Sequence, residues 1–389
     1  MKIGIDRIAF ATSNQFVDMA ELAHARHEDP NKYLIGIGQK KMAVIPPTQD
    51  IVTMAASAAN KVLGPEERAH LGMILFATES AIDNSKSAAA PLIRLLDLNP
   101  HVRVAELKQA CYTGTAGLQL AKGQVALHPD QIVLVIAADI ARYGLKTPGE
   151  PTQGGGAVAM TVKATPRILA LEDDAAVVTK DIMDFWRPFG CDAAFVDGKY
   201  STKVYLDFLA DTFTHYQEMN GRTVDDFAAL LFHLPFTKLG LKGLRQLIAD
   251  ADLKIGARLA QQFEAAREYG SQVGNLYTGS LYLSLISLLE NSTTLRAGER
   301  IGLYSYGSGA EGEFYSGILQ PGFAAQFTTR PTGQALASRK QVSVQEYEKL
   351  YDAAVHGPAE SALSADDDPA DFIFTGVHNH IRQYEQRGN

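Results

Sequence analysis

Cys111 lies directly before a helix start rich in small residues, Tyr112-Thr-Gly-Thr-Ala-Gly117. The unpaired N–H groups at a helix N-terminus favour negative charge, so a thiol placed there can be held as thiolate. Such a sulfur is a nucleophile for acyl transfer. The competing reading is a small buried apolar residue, the commonest fate of a cysteine. The turn-to-helix setting and the neighbours Ala110, Thr113, Gly114 and Thr115 favour the nucleophile. Cys191 stands in an aromatic, Pro-containing loop with no base beside it and reads as structural.

Glu79 follows the apolar run Leu71–Ala77, where an acid is costly unless it is paired or used. Parallel α/β sheets bind ligands beyond the carboxyl ends of their strands, so Glu79 is a candidate general acid/base. An exposed loop carboxylate is the alternative. His233 follows a second such run, Phe227–Phe232, and among ten histidines it alone abuts a buried strand. Asn275 precedes a helix and is either a cap or an amide that orients a carbonyl. Lys238 and Lys242, four apart on one helical face, could meet phosphates or simply be solvated.

Two motifs mislead. Gly307-Ser-Gly-Ala-Glu-Gly312 has dinucleotide-binding spacing, but it leads into a strand pattern, not the helix that would receive a pyrophosphate. His378-Asn379-His380 has no nearby acidic or sulfur partners, so no metal is expected.

The elements that position these residues occur twice. In the first half, strand patterns at Met1–Arg7, Leu71–Ala77, Arg103–Glu106, Gln131–Ala138 and Ala157–Val162 alternate with helix patterns at Gln49–Leu63, Ser87–Leu96 and Tyr112–Leu127. In the second, helices at Val204–Glu218, Lys238–Asp250 and Leu276–Leu289 alternate with strands at Phe227–Phe232, Arg300–Tyr304 and Glu313–Leu319. Tyr112-Thr113-Gly114 and Tyr277-Thr278-Gly279 open matching helices. Leu75-Phe76 and Leu231-Phe232 close matching strands, and a glycine cluster follows the last parallel strand of each half. The expectation is a duplicated α/β unit with a largely parallel sheet covered on both faces. A helical insertion near Ile255–Glu268, the segment Asp184–Ser201 and the tail beyond about Pro321 fall outside the repeat. Within the tail, Asp366-Asp367-Asp368-Pro369 reads as a solvated loop.

The 389 residues carry a net charge of −8, which argues against a general nucleic-acid binder or a polybasic membrane-surface protein. Two cysteines cannot build a disulfide framework or a Cys-rich zinc site. The amino terminus lacks the pattern of a secretory signal. The longest apolar runs, such as Ile132–Ala138, fall short of the roughly 20 residues of a membrane span. A cytoplasmic location is expected, and the sequon at Asn291 is then inert.

Together these motifs resemble the thiolase-fold enzymes, and more narrowly the bacterial 3-hydroxy-3-methylglutaryl-CoA synthases. The resemblance covers essentially the whole chain. It rests on Glu79-Ser80, Ala110–Gly117, Ala138-Asp139-Ile-Ala-Arg-Tyr143, Pro151-Thr152-Gln-Gly154 and Asp184-Phe-Trp-Arg-Pro188. Val196-Asp-Gly-Lys-Tyr-Ser201, His233-Leu-Pro-Phe-Thr-Lys238, Gly274-Asn275-Leu-Tyr-Thr-Gly279 and Ser305-Tyr-Gly-Ser-Gly309 extend it.

The resemblance implies a thiolase-like α-β-α-β-α layering of two halves, 1–167 carrying Glu79 and Cys111, and 168–389 carrying His233 and Asn275. It implies condensation of acetyl-CoA with acetoacetyl-CoA and water, as in the mevalonate pathway of isoprenoid synthesis. Cys111 would be acetylated, Glu79 would deprotonate the acetyl methyl, and His233 would polarise the acceptor ketone. Asn275 and Ser308 match positions that contact the acetoacetyl group, and Lys238 and Lys242 match CoA contacts. Tyr143, Thr152, Asp139 and Asp184 line or support the pocket. CoA thioesters are substrates, no cofactor is implied, and a homodimer is. The alternatives are a type III ketoacyl synthase, which needs no equivalent of Glu79, and a non-catalytic acyl-CoA-binding protein. A nicotinamide oxidoreductase has only the misleading glycine pattern behind it.

Overall fold

The structure, a computed structural model, describes residues 1–191 and 193–387. Its centre is a ten-stranded mixed sheet. The first half supplies β1 (Ile3–Ala11), β2 (Leu71–Ala77), β3 (Arg103–Leu107), β4 (Ile132–Ala141) and β5 (Gly154–Ala164). The second supplies β6 (Leu169–Leu171), β7 (Ala176–Thr179), β8 (Ala229–Phe232), β9 (Arg300–Gly307) and β10 (Glu311–Leu319). The strand order is β8-β9-β10-β6-β1-β5-β4-β2-β3, with β7 also on β10. The halves join where the first strand of each meets the other, Gly4 opposite Ala170 and Ile5 opposite Leu169.

The duplication holds for four strands. β1, β2, β4 and β5 correspond in order to β6, β8, β9 and β10, while β3 has no counterpart in the sheet. The expectation of a largely parallel sheet is corrected. Only β2–β3, β2–β4 and β8–β9 run parallel, whereas β4–β5 and β9–β10 are antiparallel. The reason is connectivity: β4 to β5 and β9 to β10 return without an α-helical crossover, which parallel pairing needs.

Helices α1 (Ile51–Val62), α2 (Thr113–Leu127), α3 (Gly198–Asn220), α4 (Thr237–Leu247), α5 (Leu253–Arg267) and α6 (Ser280–Asn291) complete the layers. Successive side chains of a strand point to opposite faces. Thus Leu75 and Val135 face inward onto α2 and α6, while Ile74, Phe76 and Ile136 face outward onto α1. In the second half Leu231 and Leu303 face inward, and Leu230, Phe232 and Tyr304 meet α3, α4 and α5. This is the expected α-β-α-β-α layering. The reading of Ile255–Glu268 as an appended insertion changes: α5 buries Leu259, Phe263 and Ala266 in the core, within the crossover from β8 to α6.

The tail is also integrated. The hairpin Phe372–His378/Ile381–Gln386 buries Phe372, Phe374 and Tyr384 in the cluster around α1. Asp50, the N-cap of α1, accepts from Tyr384 Oη (2.7 Å) and Arg382 Nη2 (3.0 Å). The solvated acidic loop is corrected at one position. Asp366 and Asp367 are exposed, but Asp368 is buried and accepts from Thr48 (2.5 Å) and Gln49 (3.0 Å).

The starts of α2 and α6 meet closely at the middle of the molecule. A Cβ on Gly114 would stand 2.6 Å from the Thr278 carbonyl oxygen and 2.8 Å from Cε2 of Tyr282. Gly114→Ala is therefore expected to lower unfolding stability by about 1–3 kcal/mol. An unchanged urea midpoint would contradict this packing.

Candidate active site

Four loops converge at the ends of β2, β3, β8 and β9. Ala110, with φ of +43°, lies in the left-handed region that side chains disfavour. Its turn is held by Thr113, whose Oγ1 accepts from Gln109 N (2.6 Å) and donates to Ala110 O (2.7 Å). This elbow turns Cys111 out of the chain path just before α2. Gly307, the last residue of β9, packs on the elbow: a Cβ there would stand 2.7 Å from Gln109 O and from Tyr112 N. The glycine thereby lets the turn that carries Ser308 approach the Cys111 elbow.

The Cys111 thiol donates to Glu79 Oε1 at 2.9 Å. Burial, reinforced by the Asp139 carboxylate, pushes the Glu79 carboxyl up to about 8; the Cys111 hydrogen bond and the positive charge of Arg187 oppose the shift. Burial and the Glu79 charge likewise push the thiol well above its ordinary value. The expectation of a thiolate stabilised by the helix N-terminus is thus corrected. In the resting site sulfur is held as the thiol, and it becomes anionic as its proton passes to the Glu79 carboxylate.

Asp139, at the end of β4, is fully buried and does not line a pocket. Its Oδ1 accepts from Thr78 Oγ1 (2.9 Å), Glu79 N (2.9 Å) and Ser80 Oγ (2.8 Å). Its Oδ2 accepts from Thr278 N (3.1 Å) and Thr278 Oγ1 (2.5 Å). One carboxylate thus ties the Glu79 loop to the start of α6. Two residues further on, Ser280 Oγ meets His233 Nδ1 at 2.6 Å. The segment Thr278–Ser280 therefore spans from the Glu79 side of the site to the His233 side. His233 is 2% exposed, and burial pushes its pKa down to about 3, so the imidazole is neutral.

Asn275 is the cap that its position predicts. Its Oδ1 caps Tyr277 N (2.8 Å), while Nδ2 donates to Tyr143 Oη (2.9 Å) and keeps one further N–H. Tyr143, Phe185 and Tyr277 pack edge-to-face around it, with ring centroids about 6 Å apart. Thr152 donates its hydroxyl to Gly149 O (2.8 Å) and its carbonyl accepts from Asn275 N (3.3 Å). Asp184 is buried and accepts from Gly309 N (3.0 Å), Tyr306 Oη (2.8 Å) and Ser201 Oγ (3.0 Å), pinning the Ser308 turn to α3.

Lys238 and Lys242 stand apart from this cluster on α4. Lys238 is half-buried, Lys242 is exposed, and no described hydrogen bond or ion pair engages either ammonium. Residues 308–310 only turn β9 into β10, so no helix follows the glycine-rich motif. His378 and His380 lie exposed at the tip of the tail hairpin, and no group of three metal-ligating side chains occurs among the described residues. Neither cysteine is in a disulfide.

The sequence reading missed three supports. Ser280 holds His233, although the repeat offered it: Tyr-Thr-Gly is followed by Thr115 in one half and Ser280 in the other. Arg187, within the Asp184–Pro188 motif, supplies the cation facing Glu79. The tail helix α7 (Val344–Asp352) holds the loop carrying Tyr143 and Thr152, through Gln153 Nε2 to Tyr347 Oη (2.7 Å) and Gly144 N to Tyr351 Oη (3.1 Å).

Two family models match, Hydroxymethylglutaryl-coenzyme A synthase N terminal over residues 1–166 and C terminal over 173–266 and 251–357. The chain is 47% identical to the hydroxymethylglutaryl-CoA synthase of Enterococcus faecalis over 384 residues, covering 99% of this chain and all of that one. A crystal structure of an HMG-CoA synthase complexed with CoA superposes with a TM-score of 0.96 at 43% identity, covering both chains completely. A second structure, MvaS in complex with 3-hydroxy-3-methylglutaryl coenzyme A, gives 0.89 at 35% identity over 100% of this chain and 99% of that one. On its thiolase-like fold, this chain belongs to the hydroxymethylglutaryl-coenzyme A synthase family.

Proposed function

We propose that this chain makes HMG-CoA through an acetyl-Cys111 intermediate, with Glu79 as acid/base and His233 as the group that polarises the acceptor. Sulfur attacks the acetyl-CoA carbonyl as the thiol proton passes to the Glu79 carboxylate; the tetrahedral adduct collapses to acetyl-Cys111, and the departing CoA thiolate takes that proton back from Glu79 and leaves as the thiol. Glu79, again a carboxylate, then removes a proton from the acetyl methyl. The carbanion attacks C3 of acetoacetyl-CoA, and the alkoxide that forms is met by the His233 N–H and takes a proton. Water cleaves the thioester, releasing HMG-CoA and the free thiol. The observation that carries this reading is the 2.9 Å Cys111–Glu79 hydrogen bond, in a site whose other wall is a neutral, buried His233. It also disfavours a type III ketoacyl synthase, whose decarboxylative chemistry has no use for such an acid.

Asn275 and Ser308 would contact the acetoacetyl group, Tyr143 and Thr152 would shape the pocket, and Asp139 and Asp184 would brace it. Lys238 and Lys242 would meet CoA phosphates as point charges. The chain works without a cofactor, as a cytoplasmic homodimer of the mevalonate pathway, and needs neither nucleic acid nor membrane. The open edge of β3, which leads directly to the Cys111 elbow, supports a second copy as partner. No described helix is long and apolar enough to cross a membrane. The test is acetoacetyl-CoA consumption, expected to require acetyl-CoA and to be unsupported by malonyl thioesters. Consumption driven equally by malonyl-CoA would overturn the reading.

The electrostatics give a pH prediction. Enolisation needs the Glu79 carboxylate, so condensation should rise with pH until the carboxyl, pushed up to about 8, has ionised. Asp139→Asn removes the second-largest cause of that shift, and the rising limb of the pH profile should move to lower pH. A limb that stays in place or moves upward in the folded variant would contradict the coupling.

A further inference from the structure

The hydrogen count around Ser280 sets the proton on His233. Ser280, the first residue of α6, is 5% exposed, and its Oγ has two described hydrogen-bond partners. One is the Leu234 backbone N–H at 3.2 Å, which can only donate. The other is His233 Nδ1 at 2.6 Å. The hydroxyl has one hydrogen of its own, and among the described residues Nδ1 is the only acceptor in its reach. Were Nδ1 protonated instead, the hydroxyl would accept from two donors and its own hydrogen would be left buried without a partner, which costs about 1–3 kcal/mol.

We infer that Ser280 is a positioning residue that fixes His233 as the Nε2–H tautomer, so that the imidazole offers a donor, not a lone pair, to the acceptor ketone. The rest of the ring's setting is fixed as well. The backbone N–H of His233 donates to Tyr304 O (2.8 Å), and its carbonyl accepts from Tyr205 Oη (2.9 Å), so the main chain that carries the ring is held from both sides. Ser280 therefore decides the proton's place on the ring. This inference rests on the proposed role of His233 in condensation.

The test has two readouts. In protein labelled with 15N-histidine, long-range proton–nitrogen correlation distinguishes the two tautomers, and His233→Ala identifies the signal. Wild type should show a bare Nδ1 and a protonated Nε2, and Ser280→Ala should lose that uniform state. A protonated Nδ1 in wild type, or an unchanged tautomer in Ser280→Ala, would overturn the inference whatever the reaction proves to be. In the second readout, Ser280→Ala should leave Cys111 acetylation intact and slow condensation roughly ten- to a hundredfold, the range seen when the partner orienting a functional imidazole is removed. The same substitution in a His233→Ala background should cost nothing further. A full additional loss there would mark Ser280 as merely structural. Normal condensation by His233→Ala would instead sink the underlying reading and leave the tautomer result standing.

Discussion

Cys111→Ala is expected to abolish covalent acetylation and, with it, all condensation. Sulfur is the group placed to take the acyl chain: the elbow at Ala110 turns it out, and Glu79 stands 2.9 Å away to receive its proton. The fold should survive, because the thiol's one described hydrogen bond is to Glu79 and the elbow is held by Thr113 and Gly307. Intact-mass measurement after incubation with labelled acetyl-CoA checks this. Label on the variant at the wild-type level would remove Cys111 from its role.

Glu79→Ala should separate the two half-reactions. Loss of the carboxylate deprives the thiol of its proton acceptor, but it also removes the negative charge that, after burial itself, raises the thiol's pKa most. Acetylation therefore continues. Methyl deprotonation has no such compensation, since the carbon acid needs a base at the end of β2 and Asp139 is fully committed to five donors. Condensation should fall by roughly 10²–10⁴-fold or more, the usual contribution of a positioned acid/base. Accumulated acetyl-protein that does not turn over is the expected signature. A variant that neither acetylates nor condenses would instead make Glu79 chiefly the activator of sulfur.

Much of this site was legible because the chemistry sits at punctuation. Glu79 and His233 each follow an apolar run that had to be a buried strand, and Cys111 precedes a helix start that its counterpart Tyr277-Thr278-Gly279 repeats. The layers followed from the same alternation. Strand direction did not, because an apolar run looks alike in parallel and antiparallel neighbours, and what decides it is the absence of a helix between β4 and β5. The thiol's protonation was misjudged for a related reason. Helix position is a local feature, whereas what governs Cys111 is burial and, after it, the charge of Glu79, 32 residues earlier. The tail was opaque because its function is to brace: Tyr347 and Tyr351 reach the Tyr143 loop across about two hundred residues of chain, and no local spacing announces such contacts.

The most direct test is a chase. Protein acetylated with labelled acetyl-CoA and freed of excess reagent is mixed with acetoacetyl-CoA in a single turnover. The label should leave Cys111 and appear in HMG-CoA, faster than acetyl-protein hydrolyses alone. Label that stays on the protein, or departs only as acetate, would contradict an acetyl-Cys111 intermediate on the path to the product.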